Sequence, residues 1–196
     1  MRAGYGAVIL AGGQARRMGG KDKGLVPLAG APMISYALLT IQPLVDRCVI
    51  NANRNFESYS RLGVPVIPDK LQGHLGPLAG LSAAIDALDT TFVLMCPCDS
   101  PFVQAGLISA LLQDCGQFDA DLAVPDDGER LQPVFVVVNR RVKPSLDAFL
   151  ASGKRKIDQW FDDLAVRRVP ASAYRESFRN INTEAERLAA EQDLSR

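Results

Sequence analysis

The sequence has little of what several protein classes require. Among 196 residues there is one histidine, His74, and one tryptophan, and the 22 Lys+Arg are offset by 22 Asp+Glu to a net charge of zero. A balanced chain lacks the cationic surplus that sequence-independent nucleic-acid binding uses to release phosphate counterions. A single histidine argues against a His-rich metal centre. The longest apolar stretches, Ala7 to Ala11, Phe92 to Cys96 and Val134 to Val138, are far shorter than the roughly 18 residues of a membrane-spanning helix. The four cysteines form no C-x-x-C pair, and three lie in or beside apolar segments, so reduced thiols and a cytoplasmic setting are expected. Arg2 and the small apolar stretch to Gly13 imitate a signal peptide, but glycine, Arg16 and Arg17 replace a clean cleavage site.

What is present reads as one α/β domain able to bury about 70% of its unfolded surface. Strand-like runs at Tyr5 to Leu10, Cys48 to Asn51, Val64 to Ile67, Phe92 to Pro97, Asp121 to Val124 and Pro133 to Val138 alternate with helical patterns. Helices are expected at Pro32 to Leu44, Pro77 to Leu88, Leu107 to Gln113, Pro144 to Leu150 and Thr183 to Glu191, the last opened by a Thr183/Glu186 capping box. Continuous Val/Ile/Leu runs suit a doubly wound, mostly parallel sheet covered on both faces. Such sheets bind ligands beyond the carboxyl ends of their strands. The alternation weakens after about Asp119, so residues 119–196 would form a smaller lobe completing a site carried by about residues 1–118.

Directly after the first strand, Leu10 to Leu25 holds five glycines, four cations (Arg16, Arg17, Lys21, Lys23) and one acid, Asp22, a local charge of +3. Glycines let backbone N–H groups close on an anion, and Arg and Lys add charge suited to a polyphosphate. Ala15 stands where a P-loop needs its first glycine, and no glycine triplet has the dinucleotide spacing. A solvated basic loop is the plainer alternative.

The strings LAGG, RMGG and DKGL within that loop resemble the signature of molybdenum cofactor guanylyltransferases. Asn51-Ala52-Asn53-Arg54, Gly76-Pro77-Leu78-Ala79-Gly80, Cys96-Pro97-Cys98-Asp99 and Asn180-Ile181-Asn182-Thr183 match that family in order. The resemblance implies a Rossmann-like nucleotidyltransferase fold, GTP and molybdopterin as substrates, and release of pyrophosphate. It implies GTP contacts from Leu10, Ala11, Gly12, Gly13, Lys23, Asn51, Asp69 and Asp99, with Arg17, Lys23 and Asp99 catalytic. Asp99 would hold Mg²⁺, for which Mn²⁺ could substitute. Gly76, Arg155, Asn180 and Asn182 would serve the molybdopterin side. A monomer without nucleic-acid or membrane partners is expected, in transient contact with cofactor-insertion proteins and recipient apo-enzymes.

Each residue also has a plainer reading. Asn51 and Asp69 could be ordinary turn formers, and Asp99 could cap a helix beginning near Phe102. Asn180 and Asn182 could end a polar strand, and Lys154-Arg155-Lys156 could be a solvated face. Cys96 and Cys98 read as packed thiols rather than metal ligands, and His74 and Lys21 as solvated. The competing functions are a cytidylyl- or sugar-phosphate nucleotidyltransferase of the same fold, and a nucleotide-binding protein without chemistry.

Overall fold

The computed structural model describes residues 4–11, 22–70 and 76–195. Nine strands are found there: β1 Tyr5–Leu10, β2 Pro27–Leu28, β3 Ala31–Pro32, β4 Arg47–Asn51, β5 Val66–Ile67, β6 Phe92–Pro97, β7 Leu122–Asp126, β8 Val136–Asn139 and β9 Val166–Pro170. The helices are α1 Ile34–Ile41, α2 Phe56–Ser60, α3 Pro77–Ala87, α4 Ala105–Gln117, α5 Lys143–Ala151, α6 Ile157–Phe161 and α7 Glu184–Leu194. Seven strands form one sheet in the order β5-β4-β1-β6-β8-β7-β9, and β2 and β3 form a small separate hairpin.

Along the sheet β5, β4, β1 and β6 run parallel, as do β7 and β9. Strand β8 is antiparallel to both of its neighbours, β6 and β7. All strands but β8 therefore end at one edge, where Leu10 stands beside Asn51 on one flank and Pro97 on the other.

Alternation along the strands sends side chains to two apolar layers. On one face Ala7, Ile9, Ile50 and Leu94 meet α1 and α4. On the other, Val8, Val49, Val93 and Met95 meet α3, α5 and α6. Helix α1 buries Ile34, Ala37, Leu38 and Ile41, the i, i+3, i+4, i+7 spacing of an amphipathic helix. Each such Ile or Leu contributes about 1.5–3 kcal/mol by leaving water. Helix α3 is buried from Leu78 through Ile85, and its own outer side is covered by α5. A third, smaller cluster joins Val26, Leu28 and Met33 of the hairpin region to Ile181 and to Ala190 of α7. The end of the chain thus returns to the segment that follows the glycine loop.

The sequence reading needs several corrections. The expected strand from Val64 begins only at Val66, and that from Pro133 begins at Val136 and runs antiparallel. Strand β9 was not expected, because Arg167 and Arg168 interrupt its apolar pattern at the sheet edge. The plainer reading of Asn180 and Asn182 as the end of a polar strand does not hold: a 3-10 helix occupies Ser172–Phe178, and the residues from 179 to 183 are irregular. Among the described residues, no helix is long and apolar enough to cross a membrane.

Candidate active site

The site grows from the carboxyl ends of β1, β4 and β6. After β1, Ala11 is tied to β4 through its N–H on the Asn51 carbonyl at 2.8 Å, while the Leu10 carbonyl accepts from Cys98 N at 3.0 Å. The chain is next described at Asp22, whose carboxylate is buried and accepts three hydrogen bonds. The donors are Tyr59 Oη at 2.8 Å, Asn55 Nδ2 at 3.0 Å and Arg54 Nε at 3.1 Å. A buried carboxylate is tolerated when it is paired and hydrogen-bonded in this way. Gly24 follows where a Cβ would lie 2.8 Å from Tyr59 Oη and 3.4 Å from Cys98 Cβ. The tight contact is with Tyr59 of α2, so a side chain at this position would push against the Tyr59 ring and hydroxyl.

Between them Lys23 turns its ammonium group to the other flank of β1, onto Asp99 Oδ2, and donates to Asn182 Oδ1 at 2.6 Å. Asp22 and Lys23 therefore span the end of β1, one paired with a cation after β4, the other with an anion after β6. Asp99 lies in the turn that follows β6, and α4 begins only at Ala105 with Gln104 at its N-cap. The helix-capping alternative for Asp99 is thereby removed. Its carbonyl accepts from Ile181 N at 2.9 Å, which holds the Asn180 to Asn182 segment beside it. Ile181 is buried, and Asn180 and Asn182 flank it exposed, with Asn180 Oδ1 accepting from Ser100 Oγ at 2.6 Å. Glu186 at the start of α7 accepts from the N–H groups of Asn182 at 2.6 Å and Thr183 at 2.9 Å. The Asn182 N–H foremost holds the Glu186 carboxyl below its usual range, and the expected capping box is present.

Among the described residues, Asp99 Oδ1 is buried without a hydrogen-bond partner. A buried carboxylate oxygen left so is costly unless a cation reaches it. A hard divalent ion fits, since Mg²⁺ takes one or two protein carboxylates and completes its shell with phosphate and water. Among the described residues no group of three or more His, Cys, Asp or Glu could hold a metal unaided. The nearby Cys96 and Cys98 are buried, and burial raises both thiols well above their usual range, so they are protonated and poor ligands.

At the end of β4, Asn51 Nδ2 donates to Asp69 Oδ1 at 3.0 Å, and Asn53 Nδ2 to Asp69 Oδ2 at 2.7 Å. Asn53 Oδ1 in turn accepts from Asp69 N at 2.8 Å. The two residues assigned to nucleoside recognition are thus one bonded unit. Helix α3 presses against it through Gly80, whose missing Cβ would lie 2.4 Å from Asn51 Oδ1. Gly76 precedes α3 with φ +75, a conformation glycine adopts without strain.

A cleft of about 550 Å³ opens at the start of α3, lined by Pro77, Leu131, Pro133, Arg155, Lys156, Ile157, Asp158 and Phe161. Arg155 Nη1 donates to the carbonyls of Leu150 at 3.0 Å and Lys154 at 2.6 Å, which fixes the guanidinium at the cleft wall. Arg155 therefore lines this cleft and Gly76 only precedes its wall at Pro77, whereas Asn182 contacts Lys23 and Asn180 contacts Ser100 beside Asp99. Gly12, Gly13 and Arg17, with Lys21 and His74, lie outside the described residues. Asp22, Arg54, Asn55 and Tyr59 were missed; the signal was a single acid inside a cationic loop.

A strand order with its switch at β1, and a lysine and a carboxylate meeting at the carboxyl edge, define a doubly wound α/β protein with a polar ligand site at that switch point. The MobA-like NTP transferase domain matches residues 7–169. A molybdenum cofactor guanylyltransferase of Shewanella halifaxensis is 45% identical over 183 residues, 93% of this chain and 92% of the relative. The solved structure of molybdopterin-guanine dinucleotide biosynthesis protein A from Archaeoglobus fulgidus superposes with a TM-score of 0.83 at 26% identity, over 97% of this chain and 98% of that one. A 2-C-methyl-D-erythritol 4-phosphate cytidylyltransferase from Thermus thermophilus shares the fold at 16% identity, with a TM-score of 0.71 over 96% and 98% of the chains. The chain belongs to the MobA-like NTP transferase family, among the molybdenum cofactor guanylyltransferases. Enzymes of this family generally work with a divalent metal.

Proposed function

We propose that this enzyme transfers GMP from GTP to the terminal phosphate of molybdopterin, forming the guanine dinucleotide and releasing pyrophosphate. The observation that carries the reading is the meeting of Lys23, Asn182 and a half-satisfied Asp99 at the end of β1. An acceptor phosphate oxygen bonds to the α-phosphorus while the bond to the bridging oxygen breaks, and pyrophosphate leaves with the electron pair. The nucleophile is already ionised near neutral pH, so no protein base is needed, which suits a chain with one histidine.

Catalysis then rests on alignment and charge. Lys23 and Arg17 would neutralise phosphate oxygens, with Gly12 and Gly13 giving the loop backbone close approach. Leu10, Ala11, Asn51 and Asp69 would hold the nucleoside, Asp69 fixing the Asn51 amide through their hydrogen bond. Asp99 would hold Mg²⁺, or Mn²⁺ in its place, and the metal would supply charge neutralisation on the phosphates. The cleft beside Gly76 and Arg155 would take the acceptor, with Asn180 and Asn182 between the two substrates. Residues 1–118 would thus carry mainly the nucleotide and residues 119–196 the acceptor side, in a cytoplasmic monomer that passes its product to cofactor-insertion proteins or recipient apo-enzymes.

Incubating the protein with molybdopterin, Mg²⁺ and each of the four nucleoside triphosphates tests this reading. A guanine dinucleotide with pyrophosphate release is expected. Product from CTP would point to the cytidylyl alternative, and GTP binding without pyrophosphate to a protein without chemistry.

A further inference from the structure

Lys23 carries its charge to the carboxylate that the proposed metal requires. Its ammonium lies on Asp99 Oδ2, and the two side chains are only 14% and 15% exposed. The other Asp99 oxygen is buried and has no partner among the described residues. The ammonium is held from a second side by Asn182 Oδ1. Asn182 is itself fixed: Glu186 accepts from its N–H, and the preceding Ile181 N–H is bonded to the Asp99 carbonyl. The arrangement is a closed ring of contacts running from Asp99 through Lys23 and Asn182 back to Asp99.

We propose that Lys23 is a built-in counter-ion that occupies Asp99 in the nucleotide-free enzyme, with Asn182 as the positioning residue that keeps it there. This inference rests on the reading of Asp99 as the metal ligand. A metal ion at the free Asp99 Oδ1 would lie beside the Lys23 ammonium on Oδ2, and repulsion between the two cations opposes metal binding while Lys23 stays there. A nucleoside triphosphate removes that obstacle, because it offers the lysine another anion, and the flexible Lys stem can follow it. The enzyme therefore takes its metal with the nucleotide rather than before it. Free-metal affinity is lowered by the fraction of molecules in which Lys23 has left Asp99.

The test is Mn²⁺ binding to the full-length, nucleotide-free protein, read by electron paramagnetic resonance of the free ion. Lys23→Met is expected to tighten Mn²⁺ binding about tenfold, the scale of one charge-assisted hydrogen bond. Asn182→Leu leaves the net charge unchanged and is expected to tighten it about threefold, as for one weaker contact. Both gains should vanish when Asp99→Asn is added. Because Asn182 is exposed, its variant carries the test even where Lys23→Met fails to fold. If Asp99→Asn weakens binding but neither variant tightens it, the counter-ion is overturned and the metal-site reading stands. Weaker binding in Asn182→Leu would make Asn182 a ligand and overturn its positioning role. If Asp99→Asn changes nothing in any background, the metal-site reading falls and the inference with it.

Discussion

The Tyr59 hydroxyl donates at 2.8 Å to the Asp22 carboxylate, fastening α2 to the residue just before Lys23. Burial foremost, then the negative groups around it, pushes the Tyr59 pKa far above its usual value, so the hydroxyl stays a donor at every ordinary pH. Tyr59→Phe would leave the buried Asp22 with Arg54 and Asn55 alone among these donors. A lost hydrogen bond to a charged group costs about 1.5–3 kcal/mol. The urea midpoint should fall accordingly with the m-value unchanged, and an unaltered midpoint would show that Asp22 finds another donor.

Gly80→Ala sets two effects against each other. Alanine favours an α-helix by up to about 1 kcal/mol over glycine. Its Cβ, however, would lie 2.4 Å from Asn51 Oδ1 and 2.6 Å from Leu10 Cδ2, so Asn51 must move away from Asp69. The expected variant keeps its helical circular dichroism but loses on the order of tenfold to a hundredfold in kcat/KM for GTP, the scale of a misplaced binding group. Full activity would show that Asn51 is not needed in its present position.

Lys23→Ala and Asp99→Asn should separate chemistry from folding. Each removes one member of a largely buried pair at the carboxyl edge of the sheet, and neither residue is one of the apolar core residues. Loss of a charge aimed at phosphate or metal is expected to lower turnover by about 10²–10³-fold, while thermal unfolding remains cooperative. Steady-state pyrophosphate release beside calorimetry checks this, and retained turnover would refute either role.

The parts of this molecule legible in the sequence are those whose signal is local. The capping box at Thr183 needs only two side chains three residues apart, and it forms. The runs Tyr5–Leu10 and Phe92–Pro97 are continuously apolar because both faces are covered, and they form as read. Strand β9 escaped because an edge strand can carry Arg167, which pairs with Asp114 at 2.8 Å. The antiparallel sense of β8 is set by pairing across the sheet, which no single segment encodes. In the site, the charge of the glycine loop was readable but not its division. Asp22 looked like one acid among cations, and only folding brings Arg54 to it and takes Lys23 across β1 to Asp99 and Asn182.

Asp127 makes the stability of the β7 to β8 connection depend on acid. Its carboxylate accepts from Gln132 Nε2 at 2.7 Å and from the N–H groups of Glu129 at 2.8 Å and Arg130 at 2.9 Å. Gln132 foremost, then the Arg130 and Glu129 N–H groups, lowers its pKa from 3.8 to about 2. A folded-state pKa below the unfolded one means that the ionised group stabilises the fold. That contribution is complete above the unfolded value, near pH 4, and is lost as the pH falls through about 2. Stability measured by urea unfolding between about pH 4 and pH 2 should therefore decline less steeply in Asp127→Asn than in the parent, by up to one proton's worth of slope. Equal slopes would mean that the connection is not held by the charged form of Asp127. The turn leads directly to Leu131 and Pro133 at the wall of the cleft proposed for the acceptor.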